Sequence, residues 1–277
     1  MKTLALLAAL VAVGGAQARL SVPPFGHVVV IVFENKEAGS VLGSREAPTF
    51  NAMARRYARL TRYYGVTHPS LPNYLALVSG STQGITTDCT ACIVSAPNLA
   101  DSLDSAGKTW KLYAEGLPYR GFTGASSGGY AKKHVPFLYF RSIVDARPRL
   151  DRIVPLTQLA RDLRAGSLPD FALVVPDGCH SMHDCPVRSG DTWLRTTLPP
   201  LLRVSGAVVF VVFDEGATGL RGGGHVAALA LGTAVRRGAR FTRVTSHYGL
   251  LRTIETAWGL PLLGRSAQAT AITGIWR

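Results

Sequence analysis

With 277 residues, 47% hydrophobic and only 17% charged, the chain can bury a substantial core and is excluded from the disordered class. Thirty Lys and Arg against 17 Asp and Glu give a formal charge of +13, which attracts phosphates, nucleic acids or anionic headgroups without choosing among them. The Lys and Arg are scattered, densest at Arg236, Arg237, Arg240 and Arg243, with no recognition motif beside them, so no specific nucleic-acid partner is expected.

Residues 1–18 combine Lys2, a short apolar run and Ala16-Gln17-Ala18, the three parts of a cleavable signal peptide. The run is shorter than the ~20 residues that span a bilayer. We therefore expect a secreted or periplasmic protein with no stable membrane anchor and one domain over 19–277. HVVVIVF (27–33) is a β-branched run that predicts a central parallel strand buried on both faces. A helix is predicted over 48–60, and another over 71–79 with Pro72 in its first turn, where the missing N–H costs nothing. Then come a helix over 98–106, an extended segment over 109–113, an irregular Gly- and Tyr-rich loop over 116–130 and a helix over 156–165. FALVV (171–175) is a buried strand, 192–202 a helix weakened by Pro199 and Pro200, VVFVVF (208–213) and VAALAL (226–231) are strands, and 248–258 is the closing helix. Buried strands separated by helices predict an α/β fold, a three-layer sandwich with a central, largely parallel sheet.

Four cysteines in an exported chain should be oxidised, and they fall as two close pairs, Cys89/Cys92 and Cys179/Cys185, so local pairing is the simplest connectivity. The competing idea is one zinc held by all four, against which the C-x5-C spacing of the second pair counts.

In an open α/β sheet, ligands bind outside the carboxyl ends of the strands, and here three such ends are acidic. The first strand runs into Glu34-Asn35. FALVV runs into Asp177, followed by His180, Ser181, His183 and Asp184. VVFVVF runs into Asp214-Glu215. One such pair is commonly a helix cap. Three converging pairs would gather more acid than a basic protein would cluster without a cation. A cation held by carboxylates suits phosphoryl or sulfuryl transfer. Ser70, in Thr67-His68-Pro69-Ser70-Leu71-Pro72-Asn73-Tyr74, precedes a helix whose positive end favours a phosphate and a deprotonating hydroxyl; the competing role is a plain N-cap. Asn73 could offer its amide from the same turn.

In unbroken order over about residues 25–260, seven segments resemble the phosphoesterase family of bacterial acid phosphatases and non-haemolytic phospholipases C, within the alkaline phosphatase superfamily. They are Phe33-Glu34-Asn35, the Thr67 to Tyr74 segment, Lys133-His134-Val135-Pro136-Phe137, the Val175 to Cys185 segment, Phe213-Asp214-Glu215-Gly216, Gly223-Gly224-His225-Val226 and the His247 to Glu255 segment. The resemblance implies an alkaline-phosphatase-like fold and a phosphorylated Ser or Thr intermediate beside a metal. It implies Ser70 as nucleophile, Glu34, Asn35, Asp214 and Glu215 as metal ligands, and Asn73, His134 and His183 as lining of the phosphate pocket. His183 is the candidate general acid, because an imidazole can protonate the leaving oxygen.

Two positions depart from the family pattern: Ser181 stands where a carboxylate is usual, and Asp177 where Asn is frequent. One divalent ion is favoured, since hard oxygen donors alone suit a single site. A second ion would draw on Asp177, His180 or His183, and His225, with Asp184 a further pocket candidate. Among the remaining histidines, His225 follows three glycines and is counted with the substrate-binding residues. His68 is equally a pocket or a surface residue, His247 a neighbour of the last helix cap, and His27 structural.

The expected activity is hydrolysis of a small anionic phosphate ester by an acid-phosphatase-like enzyme. A phospholipase C-type diesterase and a non-catalytic basic envelope protein that binds anionic polymers are the alternatives. A formylglycine sulfatase is disfavoured because C-x-P-x-R is absent.

Overall fold

A computed structural model describes residues 21–277, so the expected signal peptide lies outside the described residues. In chain order the strands are β1 (His27–Phe33), β2 (Ala58–Leu60), β3 (Tyr63–Tyr64), β4 (Trp110–Ala114), β5 (Ser126–Ser127), β6 (Tyr130–Ala131), β7 (Ile153–Pro155), β8 (Phe171–Val175), β9 (Ala207–Phe213), β10 (Ala228–Gly232), β11 (Arg240–Phe241) and β12 (Thr245–Ser246). Eight of them form one sheet in the order β11-β2-β10-β9-β1-β8-β4-β7. Only β10 runs against its neighbours. The β-branched runs take the centre, where β1 pairs in parallel with both β8 and β9, because a strand covered on both faces must be apolar on both.

Phe33 and Phe213 share a register position, and their rings meet Phe50 and Trp193 on one face of the sheet. That face is covered by the helices Pro48–Arg56 and Val187–Leu201. Successive strand residues point to opposite faces. The next residue, Glu34, accordingly meets the helix Ser70–Ser79, which packs against His247–Trp258 to make the third layer. Each buried aromatic side chain contributes about 2–3 kcal/mol of transfer free energy. An exposed pair such as Arg188 with Glu46 is screened by water and salt and contributes little, so the apolar layers and not the surface charges hold the sandwich.

Several boundaries differ from expectation. The helix predicted over 48–60 ends at Arg56, and its last residues form β2, where Ala58 and Leu60 are buried against β10. The helix expected over 192–202 begins five residues earlier, at Val187, and confines Pro199 and Pro200 to its last turn. The 116–130 loop contains β5 and the first residue of β6 of a small hairpin. The strand read over 226–231 lies at Ala228–Gly232 and runs antiparallel, because the glycine-rich segment joining it to β9 has no crossover helix to carry the chain back.

That glycine-rich segment packs backbone on backbone. A Cβ at Gly222, whose φ is +106°, would fall 2.1 Å from the Val66 carbonyl oxygen, and one at Gly65 would fall 2.5 Å from the Gly223 carbonyl and 2.9 Å from that of Asp214. Only glycine permits this approach. It presses the chain entering the Ser70 helix against the turn that follows β9.

The four cysteines form Cys89–Cys92 and Cys179–Cys185, which removes the four-cysteine zinc site. Among the described residues no helix is long and apolar enough to cross a membrane.

Candidate active site

Because β1 and β9 end in register, Glu34 and Asp214 leave adjacent strands side by side, both wholly buried. Ser70 is the first residue of its helix and Pro69 takes the N-cap position, and the Ser70 hydroxyl caps none of the helix amides, so the N-cap reading of Ser70 does not hold. Its hydroxyl instead donates to Glu34 Oε2 at 3.2 Å. Tyr74, one turn later on the same helix face, donates to Glu34 Oε1, and His134 Nε2 lies 3.4 Å from Glu34 Oε2. Asp214 Oδ1 accepts from the backbone N–H groups of Asn35 (3.1 Å) and Glu215 (2.6 Å). Asn35 adopts φ +55°, the left-handed conformation that asparagine tolerates best among residues with a side chain. Asp214 Oδ2 is buried and, among the described residues, without a partner.

Burial, then the Asp214 charge, pushes the Glu34 carboxyl well above its ordinary value, and burial also raises Asp214. Glu215 is pushed up to about 7 by burial and then by Asp214. Crowded carboxyls in a dry pocket resist ionising together. A divalent cation relieves that repulsion, and the donor set, carboxylate and hydroxyl oxygens with one carboxylate oxygen unpaired, fits a hard ion. The residues present therefore suit the metal that the resemblance implies.

Asn73 is committed elsewhere. Its Oδ1 accepts from the Val66 and Thr67 amides, and its Nδ2 faces the carbonyls of Thr67 and Pro69 and Glu215 Oε2 at 3.2 Å. It braces the 66–70 turn, which contains a cis His68–Pro69 bond. His68 bridges Glu215 Oε2 (2.9 Å) and the Thr218 carbonyl (2.9 Å), so it sits at the site rather than apart from it. His134 stacks on Tyr74 and faces the ring of His183 at 6.2 Å. Burial, followed by the charges of Lys133 and His183, holds the His134 imidazole well below its usual range. His183 Nδ1 is oriented by Asp184 Oδ1 at 2.6 Å.

The possible second metal set is only partly brought together. Asp177 and His180 group with Glu115, each offering a ligand atom within 4.8 Å of the others, while Asp184 turns to His183. The three already bond one another: His180 Nδ1 lies 3.0 Å from Glu115 Oε2, and the His180 amide donates to Asp177 Oδ1 at 2.8 Å. His225 stands apart, its Nε2 on the Thr61 carbonyl and its ring against Tyr64. Its amide donates to Glu37, which also receives the Thr218 amide and hydroxyl and ties down the glycine-rich segment.

His247 is wholly buried, with Nε2 on the Asp214 carbonyl at 2.6 Å and Nδ1 on the Tyr63 hydroxyl at 3.0 Å. A carbonyl only accepts, so Nε2 carries the hydrogen and Nδ1 accepts from Tyr63. Burial pushes this imidazole down to about 4 from 6.5. As pH falls, the unfolded chain takes up the proton first. Stability conferred above pH 6.5 is therefore lost between there and pH 4, by about 3 kcal/mol. Denaturant titrations at pH 7 and 4.5 should show a steeper acid loss for wild type than for His247→Gln, which supplies the same donor and acceptor. Equal losses would refute a neutral buried imidazole.

Sequence reading missed Glu115, Tyr74 and Glu37 as parts of this rim. The Ser70, Asn73, Tyr74 spacing of i, i+3, i+4 would have revealed the tyrosine, and Glu115 obeys the same strand-end rule as Glu34, since it follows β4.

Residues 34–261 match the model of the Phosphoesterase family. A phosphatidylinositol-3-phosphatase of Mycobacterium tuberculosis is 34% identical over 260 residues, covering 92% of this chain and 84% of its own. An acid phosphatase of Aspergillus fumigatus is 32% identical over 221 residues, covering 74% of this chain; the match spans about half of that relative, 49% of its length. In fold, the chain is similar to a protein in the alkaline phosphatase superfamily from Vibrio parahaemolyticus, with a TM-score of 0.63 at 14% identity, covering 90% of this chain and 72% of that one. With both the motif order and these similarities in view, the chain belongs to the Phosphoesterase family and is a phosphoric ester hydrolase.

Proposed function

We propose that this chain is an exported, metal-dependent phosphatase of the acid-phosphatase type, acting on small anionic phosphate esters through a phosphoserine at Ser70. The observation that carries the reading is the Ser70 hydroxyl, 3.2 Å from a buried carboxylate, beside a second buried carboxylate whose Oδ2 has no partner among the described residues. Glu34 and Asp214, with Ser70 Oγ and the neighbouring Asn35 and Glu215, would hold one divalent cation, which when bound supplies charge stabilisation and lowers the cost of deprotonating the hydroxyl. The nearby Glu115, Asp177 and His180 already hydrogen-bond one another, which supports one ion rather than two.

In the first half-reaction the Ser70 hydroxyl passes its proton to Glu34 Oε2, its acceptor at 3.2 Å, and its oxygen forms a bond to phosphorus as the bond to the leaving oxygen breaks. His183, aligned by Asp184, gives its proton to the leaving oxygen. In the second half, His183 takes a proton from water, the water oxygen bonds to phosphorus, and the Ser70 oxygen departs, recovering its proton from Glu34. His134, kept neutral by burial, contributes a hydrogen-bonding nitrogen without adding positive charge. The two disulfides support passage through an oxidising compartment.

Release of p-nitrophenol from p-nitrophenyl phosphate tests the reading. Activity should fall to background in EDTA and return with excess divalent ion. A protein that binds phosphorylated polymers but releases no phosphate under any metal would overturn it in favour of the non-catalytic alternative.

A further inference from the structure

The ammonium of Lys133 stands at the mouth of this site, outside the roles described so far. Its Nζ donates to Asp88 Oδ2 at 2.8 Å, and Asp88 Oδ1 accepts from the backbone N–H of Leu71, the residue after Ser70, at 2.9 Å. One carboxylate thus bridges Lys133 to the first turn of the Ser70 helix. The loop that carries Asp88 is closed by the adjoining Cys89–Cys92 bond and tied again by Lys132, whose Nζ donates to the Thr90 carbonyl at 2.7 Å. On its other side Lys133 is followed by His134, which reaches Glu34.

Lys133 is therefore fixed between the turn bearing the candidate nucleophile and the pocket imidazole. It is about a quarter exposed and close enough to act electrostatically on Glu34, Asp214 and His134. Asp88 engages one of its three hydrogens, which leaves two for a ligand. Asp88 shares its own charge with the Leu71 amide at the start of the helix, so the ammonium is not fully quenched.

A phosphate monoester carries up to two negative charges, whereas a diester carries one, because its second ester bond occupies an oxygen. Around the candidate nucleophile lie the carboxyls of Glu34, Asp214 and Glu215, so a second substrate charge needs a cation of its own. Resting on the phosphatase reading above, we propose that Lys133, positioned by Asp88, selects dianionic phosphate monoesters over monoanionic diesters by donating to the additional charged oxygen. Asp88 is a positioning residue in this assignment, and Lys133 touches the substrate.

The test compares p-nitrophenyl phosphate with bis(p-nitrophenyl) phosphate in metal-replete full-length protein. Lys133→Met should lower kcat/KM for the monoester about 10- to 100-fold further than for the diester, the range of one charge-assisted hydrogen bond. Lys133→Arg should restore most of the preference. Asp88→Asn keeps the acceptor for Leu71 but releases the ammonium, and should give an intermediate loss of preference. Inhibition constants for inorganic phosphate and diphenyl phosphate give the same comparison without turnover, and should show the dianion weakened selectively. Equal losses on both esters, or no loss, overturn the assignment of Lys133 and leave the phosphatase reading standing. A wild-type protein that hydrolyses neither ester defeats the phosphatase reading itself. If Lys133→Met melts early, Asp88→Asn and Lys133→Arg carry the same comparison.

Discussion

Ser70→Ala is expected to abolish turnover of p-nitrophenyl phosphate, with a fall in kcat on the order of 10⁴-fold or more, while the melting temperature of the metal-free protein changes little. The asymmetry follows from what the hydroxyl does in the fold. It donates to Glu34 Oε2 and caps none of the helix amides. Its removal costs the structure about 1 kcal/mol, whereas the reaction loses the atom that forms the bond to phosphorus. Acid quenching of wild type with labelled substrate should trap phosphate on the protein, and the alanine variant should trap none. Near-normal turnover in the variant would remove Ser70 from the chemistry.

The second large effect is at Asp214, where two properties should move in opposite directions. In Asp214→Asn the Oδ1 acceptor can be kept for the amides of Asn35 and Glu215, so the turn after β9 survives, while the unpaired Oδ2 is replaced by a neutral donor. Metal affinity measured by calorimetry or elemental analysis should fall at least about 100-fold, beyond what the loss of an outer-shell partner costs. Without metal, the variant should be more stable than wild type at neutral pH, because one of the mutually repelling buried carboxyls has gone. Full metal stoichiometry in the variant would exclude Asp214 as a ligand. A metal-free variant less stable than wild type would exclude the electrostatic strain ascribed to the trio.

Much of this architecture is legible in local patterns. The β-branched runs at 27–33, 171–175 and 207–213 lie in the sheet as read, and their acidic ends meet at one rim because parallel strands must end together. What escaped depends on relations that no short window contains. Residues 58–60 read as a continuation of a helix, and only the presence of β10 and β11 on either side makes them a strand. Asp88 and Lys133 are 45 positions apart and meet because a disulfide-closed loop folds over the Ser70 helix. Asn73 looked like a donor for substrate, yet the turn it shares with Val66, Thr67 and Pro69 uses its polar atoms for bracing. Side-chain type foretold which residues would gather, but not which would face a ligand and which would hold their neighbours in place.

The glycine contacts between the 65–67 segment and the 222–224 segment have a consequence for diversification of substrate range. A wall built from interlocked main chain offers no side chain to exchange, and even one methyl group at Gly65 or Gly222 would drive the two segments apart. Related enzymes that accept bulkier or differently charged esters should therefore carry their substitutions and insertions on the opposite bank, along the Asp88 loop and the β5–β6 hairpin. Directed libraries aimed there should retain folded, active members far more often than libraries aimed at the glycine side.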